Sequence, residues 1–266
     1  MIVLNENDWA AEMIESKSLG RKPYETLCRV ARYYIDRKGY SKKEVRKMMD
    51  EFLIQCDPAA SLPKWSDTID YAVRRALKYK AIEIDSIDIT VPEMKKIESL
   101  NSRQMQRLAF TLLCLSKYWD HVNPAGDHWV NSKDSEIMRM ANINTSIKRQ
   151  SLLYHNLKEC GMLQFSKKVD NTNVRVLFQE DGDIAMSITD LRNLGYQYLM
   201  HHGEPYFKCE SCGITTKRKN SLGRAPKYCP DCATKIRIQQ NINAVMNRKR
   251  SAKSKKGIRN ETAETA

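Results

Sequence analysis

The sequence contains no apolar run long enough to cross a bilayer, and Met1–Leu4 leads into acidic and polar residues rather than into a signal peptide. Both absences predict a cytoplasmic protein without a membrane partner. The pattern G-x-x-x-x-G-K-[ST] is missing, which excludes a P-loop nucleotide hydrolase. G-x-G-x-x-G and G-x-S-x-G are missing too, and with them the dinucleotide fingerprint and the nucleophile elbow. Histidine is scarce: His121, His128, His155, His201 and His202 are the full set, and none stands in an H-E-x-x-H or H-x-E…C-x-x-C arrangement. His201-His202 reads as the polar end of a helix before Gly203. No pair of carboxylates stands apart from ordinary surface charge, so no catalytic residue is assigned and the chain is expected not to be an enzyme. Excess charge is also missing from most of the chain, since residues 1–207 sum to only +2.

What the sequence does hold is concentrated in Lys208–Ala233, KCESCGITTKRKNSLGRAPKYCPDCA. Two Cys-x-x-Cys pairs, Cys209/Cys212 and Cys229/Cys232, are separated by sixteen residues. A tight turn within each pair aims both sulfurs at one point, and two such turns supply the four soft ligands of one tetrahedral Zn2+. Gly213 follows the first pair, where the chain needs a residue tolerant of positive φ. Pro230 suits the first position of a helix beginning at the second pair. Two disulfides or two redox-active pairs compete with this reading, but a redox pair belongs at a helix start in a βαβ unit and none is visible. Four thiolates close the coordination shell, so the zinc is structural rather than catalytic. The remaining Cys28, Cys56, Cys114 and Cys160 lie scattered in helical stretches and read as buried thiols of a reducing compartment.

The 266 residues are 41% hydrophobic and 29% charged, the balance of a soluble globular chain with room for two or three modest domains. The net charge of +13 is lopsided. From Lys208 to Asn260 fifteen Lys and Arg face only Glu210 and Asp231, a local net of +13, and the last six residues add Glu261 and Glu264. A basic patch this dense is the electrostatic footprint of a polyanion binder. Arg248, Lys249, Arg250, Lys253, Lys255, Lys256 and Arg259 crowd its end. Asn241 and Asn243 interrupt the apolar pattern of the helix that follows the cysteines, which is expected to fray past about Met246.

Residues 1–20 read as a short leading helix or arm ending at Gly20. Leu27, Val30, Ala31, Tyr34 and Ile35 then form one apolar helical stripe, stopped by Gly39. Ser41 with Glu44 forms a capping box for a second stripe through Val45, Met48, Met49, Phe52 and Leu53. Asp57-Pro58 breaks it, and Trp65–Tyr79 carries a third through Ile69, Val73, Ala76 and Leu77. Ala81–Thr90 alternates apolar and acidic residues, as a strand or an extended linker, and Val91-Pro92 reads as a domain boundary. Beyond it, Leu108, Leu112, Leu115 and Trp119 mark a long core helix, and His121–Trp129 a polar loop. A short helix capped by Asn131 or Ser132, a turn over Asn142–Ser146, a second helix over Ile147–Cys160 stopped by Gly161, and a hairpin LQFSKKV-DNTN-VRVLF read as a winged helix. Ile184–Ser187 could pair back, and Thr189–His201 closes the domain as a helix. In a winged helix the second helix leads into the major groove, with Lys148, Arg149 and His155 facing outward and Lys167, Lys168 and Arg175 on or beside the wing. Contact of that domain with protein rather than DNA is the competing reading.

Three resemblances follow from these motifs. YETLCRVARYYIDRKGYSKKEV, CDP and DTIDYAVRRALKY resemble the primase C-terminal helical domain of phage and plasmid replication proteins. The cysteine segment resembles zinc-ribbon and treble-clef modules. In a treble clef a β-hairpin follows the first knuckle, so Ile214–Lys217 and Lys227–Tyr228 are the strands implied, around a turn at Asn220–Gly223. The whole order, ending in the knuckle KYCPDC, is similar to proteins carried by phages and prophages of low-GC Gram-positive bacteria, and this implies the cytoplasm of a bacterial host cell and no particular activity.

The expected fold is mainly α with small β. A helical N-terminal bundle spans 1–80, a linker 81–92, a winged-helix-like domain 93–203, a zinc-ribbon or treble-clef module 204–250 and a disordered basic tail 251–266. The expected function is nucleic-acid binding, DNA in the first place, by an accessory or regulatory protein of a mobile element. One structural zinc sits on Cys209, Cys212, Cys229 and Cys232. Contacts are expected from Lys148, Arg149, Lys167, Lys168, Arg175, Lys217, Arg218, Lys219, Arg248, Lys249 and Arg250. The alternative is an adaptor or inhibitor docking on a replication or host defence complex.

Overall fold

The structure is a computed structural model that describes residues 2–167, 173–218 and 226–261, the side chains of 249–261 excepted. It is mainly helical, with ten helices and seven short strands among the described residues. The chain divides into two compact units, Met1–Gly195 and Tyr196–Ala266.

The first unit opens with four helices, α1 (Glu6–Glu15), α2 (Pro23–Asp36), α3 (Lys42–Cys56) and α4 (Leu62–Lys78). The apolar stripes read from the sequence become their common core, in which Leu27, Val30, Ala31, Val45, Met49, Phe52, Leu53, Ile69 and Val73 are buried, whereas Leu77, expected in the third stripe, is exposed near the end of α4. α3 starts as its sequence predicts: the Ser41 amide donates to Glu44 Oε2 at 2.7 Å and the Ser41 hydroxyl accepts from the Glu44 amide. Gly39 takes up a φ of 65° just before it. α1 is held by a buried carboxylate. Glu6 Oε1 accepts from Arg29 at 3.0 Å and Arg32 at 2.9 Å, and Oε2 accepts from the Ile82 amide at 3.2 Å.

The alternating segment after α4 contributes a strand, β1 (Ile87–Thr90). Ile87 and Ile89 are buried, and the strand pairs antiparallel with β5 (Ile184–Ile188), Ile87 opposite Ile188 and Ile89 opposite Met186. Val91-Pro92, expected as a domain boundary, instead begins a helix, α5 (Val91–Glu98). The physical reason is that the first helical turn has no use for the amide that proline lacks. Thr90 and Glu93 form a second capping box, in which the Thr90 amide donates to Glu93 Oε2 at 2.8 Å.

Glu93 is fully buried and has further partners. Lys117 Nζ donates to its Oε2 at 2.8 Å, and the Glu180 amide donates to its Oε1 at 3.1 Å. Lys117 also donates to the Asp88 carbonyl at 2.7 Å. One carboxylate thus joins β1, α5, the segment after β4 and α6 (Arg103–Val122).

Around α6 stand β2 (Trp129–Val130), α7 (Asp134–Met140), α8 (Ile147–Glu159), β3 (Leu163–Phe165) and β4 (Val174–Val176). The three strands form one antiparallel sheet in the order β2-β4-β3, with Leu163 opposite Val176 and Trp129 opposite Arg175. β2 falls where the sequence predicts the end of a polar loop. Asp120 shapes the turn that leads into it, accepting from the His128 amide at 3.0 Å, meeting His128 Nδ1 at 2.7 Å and accepting from Gln179 at 2.9 Å. Leu194 and Gly195 begin α9 (Leu194–His201). A Cβ on Gly195 would lie 2.0 Å from the Ala141 carbonyl oxygen, so only glycine allows that approach to the end of α7.

The second unit, described by itself, contains a hairpin of β6 (Tyr206–Lys208) and β7 (Thr215–Lys217) and then α10 (Pro230–Glu261). The strand after the first cysteine pair therefore pairs backward with Tyr206–Lys208, not forward with Lys227–Tyr228 as the treble-clef likeness implied. The knuckle turn itself closes this hairpin, which makes the backward pairing the more local one. α10 continues past Met246, because no proline interrupts its hydrogen-bond ladder and Arg, Lys and Ala favour helix. No described helix is long and apolar enough to cross a membrane.

Removing one member of a buried ion pair leaves an uncompensated charge, at a cost of about 3–5 kcal/mol. Lys117→Met is expected to lower the unfolding free energy by about that amount, and Glu93→Gln in the same chain to recover part of it. Urea denaturation of the two variants beside the parent checks this. An unchanged midpoint for Lys117→Met would remove Glu93 from its central place.

Candidate metal centre and basic surface

The metal centre is assembled by two local devices. In the first, the Cys209 amide donates to the Ile214 carbonyl at 3.0 Å and the Gly213 amide donates back to Cys209 at 2.9 Å, so the chain turns tightly at the tip of the β6–β7 hairpin. Gly213 has a φ of 71°, the left-handed geometry that its position predicts. The second device is the start of α10, with Pro230 as its first residue and Cys232 within its first turn. The Glu210 amide donates to the Lys227 carbonyl at 2.9 Å and ties the two together.

The sulfurs of Cys209, Cys212, Cys229 and Cys232 lie within 4.8 Å of one another. Cys212 and Cys229 stand 3.7 Å apart, close to the ~3.8 Å edge of a tetrahedron with metal–sulfur bonds of about 2.3 Å. None of the eight cysteines, all of them among the described residues, is in a disulfide. Backbone amides already aim at the cluster: Cys229 N–H donates to Cys209 Sγ at 3.2 Å and Cys232 N–H to Cys229 Sγ at 3.5 Å. At Cys209 burial pushes the thiol up, but amide donors from Cys229, Cys212 and Ser211 outweigh it and hold the group at about 6. Burial pushes Cys212 up to about 12 and raises Cys229 as well. One site is thus prepared as a thiolate, and further thiolates this close together need a cation between them. The four residues could hold one metal ion. Among the described residues the surrounding core is very small, with Ile214 as the apolar side chain packed against the cysteines.

The expected polyanion contacts fall into separate groups. Lys217 is exposed at the end of β7, Arg218 is half-buried, and Arg248 is exposed on α10. Lys208, Lys235 and Arg237 are exposed in the same unit. They were missing from the expected contacts, although the charge count of the segment already included them. Lys168 and Lys219 lie outside the described residues, as do the side chains of Lys249 and Arg250.

In the first unit, Lys148 and Arg149 are exposed in the first turn of α8, where the Ser146 hydroxyl accepts from the Arg149 amide. They line an open groove with Ser102, Met105, Leu152 and His155. The exposed ring of His155 stands edge-on to Phe165 at 5.2 Å, and Lys158 lies over the same ring. Lys167 is exposed just after β3. Arg175 differs from these three cations. It sits on β4, the middle strand of its sheet, and its guanidinium is bonded to the Asp127 carboxylate and carbonyl.

Cys209→Ser is expected to abolish stoichiometric metal, to expose residues 205–250 to protease and to leave residues 23–195 folded. Elemental analysis with limited proteolysis reads all three, and a variant that is metal-free yet equally protected would separate the fold of this unit from the cluster.

Neither a family model, nor a curated protein, nor a solved structure matches the chain.

Proposed function

We propose that the protein is a nucleic-acid-binding accessory or regulatory factor of a phage or other mobile element, acting on DNA and without catalysis of its own. The carrying observation is the coincidence of charge and metal cluster. The whole net charge of the chain is equalled by the stretch Lys208–Asn260, which contains all four clustered cysteines. In this reading the ion is a structural zinc in a ribbon or treble-clef module, because four thiolate ligands leave no position open for a water. The module fixes a hairpin and the start of a helix, and the cations on both neutralise phosphates.

The order α6-β2-α7-α8-β3-β4, with its sheet β2-β4-β3, supports reading the middle of the first unit as a winged helix. α8 then stands as the helix offered to a groove, with Lys148 and Arg149 at its leading end. A second reading rests on the same helix. Ile147 is 81% and Leu152 57% exposed on α8, and bare apolar side chains of that kind suit a protein partner such as a replication or host defence complex.

Deleting Arg248–Ala266 removes seven basic residues, and each lost phosphate contact makes the dependence of log affinity on log salt shallower by about 0.9 on duplex DNA. The expected result is a slope reduced by several units with metal content unchanged, measured on one duplex and one single strand at several salt concentrations. Equal slopes for both proteins would overturn the phosphate-binding role. Replacing Lys148 and Arg149 with Ala is expected to flatten sequence preference more than it weakens overall binding, because base contacts discriminate while phosphate contacts supply affinity. Unchanged preference in a binding-site selection would transfer α8 to a protein interface.

A further inference from the structure

A second cationic surface lies on the first unit, away from the cysteine segment in sequence. The end of α4 and the two residues after it read YAVRRALKYK over Tyr71–Lys80, with four cations and no acid. Ala72, Val73 and Ala76 are buried in the helical core, so the helical period turns Tyr71, Arg74, Arg75 and Lys78 outward together. Cations in a last helical turn complement the helix dipole, and that alone would account for Arg75 and Lys78. It does not account for the aromatic rings among them. Tyr71 is 44% and Tyr79 49% exposed, and Tyr24, reaching across from α2, is 41% exposed.

These rings are held in place. Tyr24 and Tyr71 have their centroids 5.7 Å apart. The Tyr71 phenol lies below the usual tyrosine value because of its hydrogen bonds with Tyr24 and Arg75. Arg75 and Lys78 approach the Tyr79 ring at 5.7 and 5.3 Å. Tyr71, Arg74, Arg75, Lys78 and Tyr79 line one open groove of roughly 380 Å3. Of the two acids that precede it on α4, Asp70 is bonded to Arg46 and Asp67 remains at the edge.

We propose that this groove binds single-stranded nucleic acid, with bases stacking on Tyr71 and Tyr79 and phosphates held by Arg74, Arg75 and Lys78. Cations alone would take any polyanion, but fixed, exposed rings add affinity only for a partner that brings flat π faces with its charges. A duplex hides those faces in its own stack. Tyr71 lies on α4 and Tyr79 is the extended residue that follows its last turn. Eight positions of chain at about 1.5 Å each offset their backbones by about 12 Å, well over the ~3.4 Å rise between stacked bases, so each ring is offered to a separate base. This surface belongs to the helical bundle, and its binding does not depend on the metal cluster or on the basic tail.

The test uses the full chain and fluorescence anisotropy at one salt concentration. The probes are oligothymidylate and oligouridylate of about 20 nucleotides, longer than the ~4–16 nucleotide sites such platforms occupy, and a duplex of the same length. Tyr71→Ala with Tyr79→Ala is expected to weaken single-strand binding at least about tenfold while changing duplex binding less than about twofold. Tyr71→Phe with Tyr79→Phe, which keeps both rings, is expected to stay within about threefold of the parent. Arg74→Ala with Lys78→Ala is expected to make the single-strand salt slope shallower by about 1.4. All four positions are exposed, and circular dichroism melts check that each variant folds. Should the alanine pair unfold, the phenylalanine pair and the cation pair still decide. The two oligonucleotides distinguish DNA from RNA as the source of the strand. The proposal is overturned if the parent binds neither oligonucleotide, if the alanine pair binds them as the parent does, or if it loses duplex and single strand in equal measure. Displacement of the oligonucleotide by polyglutamate at equal charge would also overturn it and assign the groove to an acidic protein segment.

Discussion

The first unit depends on one carboxylate without access to water. Glu93 caps its own helix, accepts the Lys117 ammonium and accepts the amide of Glu180, so three segments distant in sequence meet at two oxygen atoms. A buried charge is tolerated only when its partners are complete, and these partners come from β1, α6 and the chain after β4. The β1–β5 pairing and the seat of α5 on α6 are therefore one arrangement rather than two. Glu6 repeats the device within the same unit, holding α1 to α2 through Arg29 and Arg32 and to the approach to β1 through the Ile82 amide. Between them, the two carboxylates tie the helical bundle to the elements that follow it.

The second unit is built on the opposite principle. Around its cysteines the described residues form almost no apolar core, and its described hairpin strands are only three residues each. In so small a piece of chain, backbone order comes from turns, from amides aimed at sulfur and from four sulfurs placed where they could share one cation. A unit that does not rely on apolar burial leaves its side chains free to carry charge. That is why Lys and Arg can crowd this stretch with so few acids among them.

Both cationic surfaces sit where helices end or leave the core, and they differ in what accompanies the charge. Beside the cysteines the cations stand on a hairpin and on a helix exposed along its described length after Cys232, where only Ile236 is half-buried. On α4 they alternate with tyrosines whose hydroxyls and rings are already engaged with one another. Charge dominates the first surface, while the second sets exposed, mutually fixed rings among its cations.

Much of this was legible in the chain. The stripes of α2, α3 and α4, the Ser41–Glu44 box, the left-handed glycines 39, 161 and 213 and the meeting of four cysteines all depend on residues a few positions apart, and local geometry determines them. The Thr90–Glu93 box had the same spacing and was legible too, but Pro92 read as a boundary because a first-turn proline and a helix-ending one look alike without their surroundings. What only the tertiary structure decided is non-local. β1 finds β5 across the whole middle of the unit, two residues become β2 because β4 offers them an edge, and Arg175 meets Asp127 because pairing opposite Trp129 brings the turn before β2 beside it. The choice of β6 as the partner of β7 was decided by the turn that the cysteines close between them. In each case a backbone edge or a buried charge had to be satisfied by whatever the fold brought near, and spacing along the chain contains no record of that neighbour.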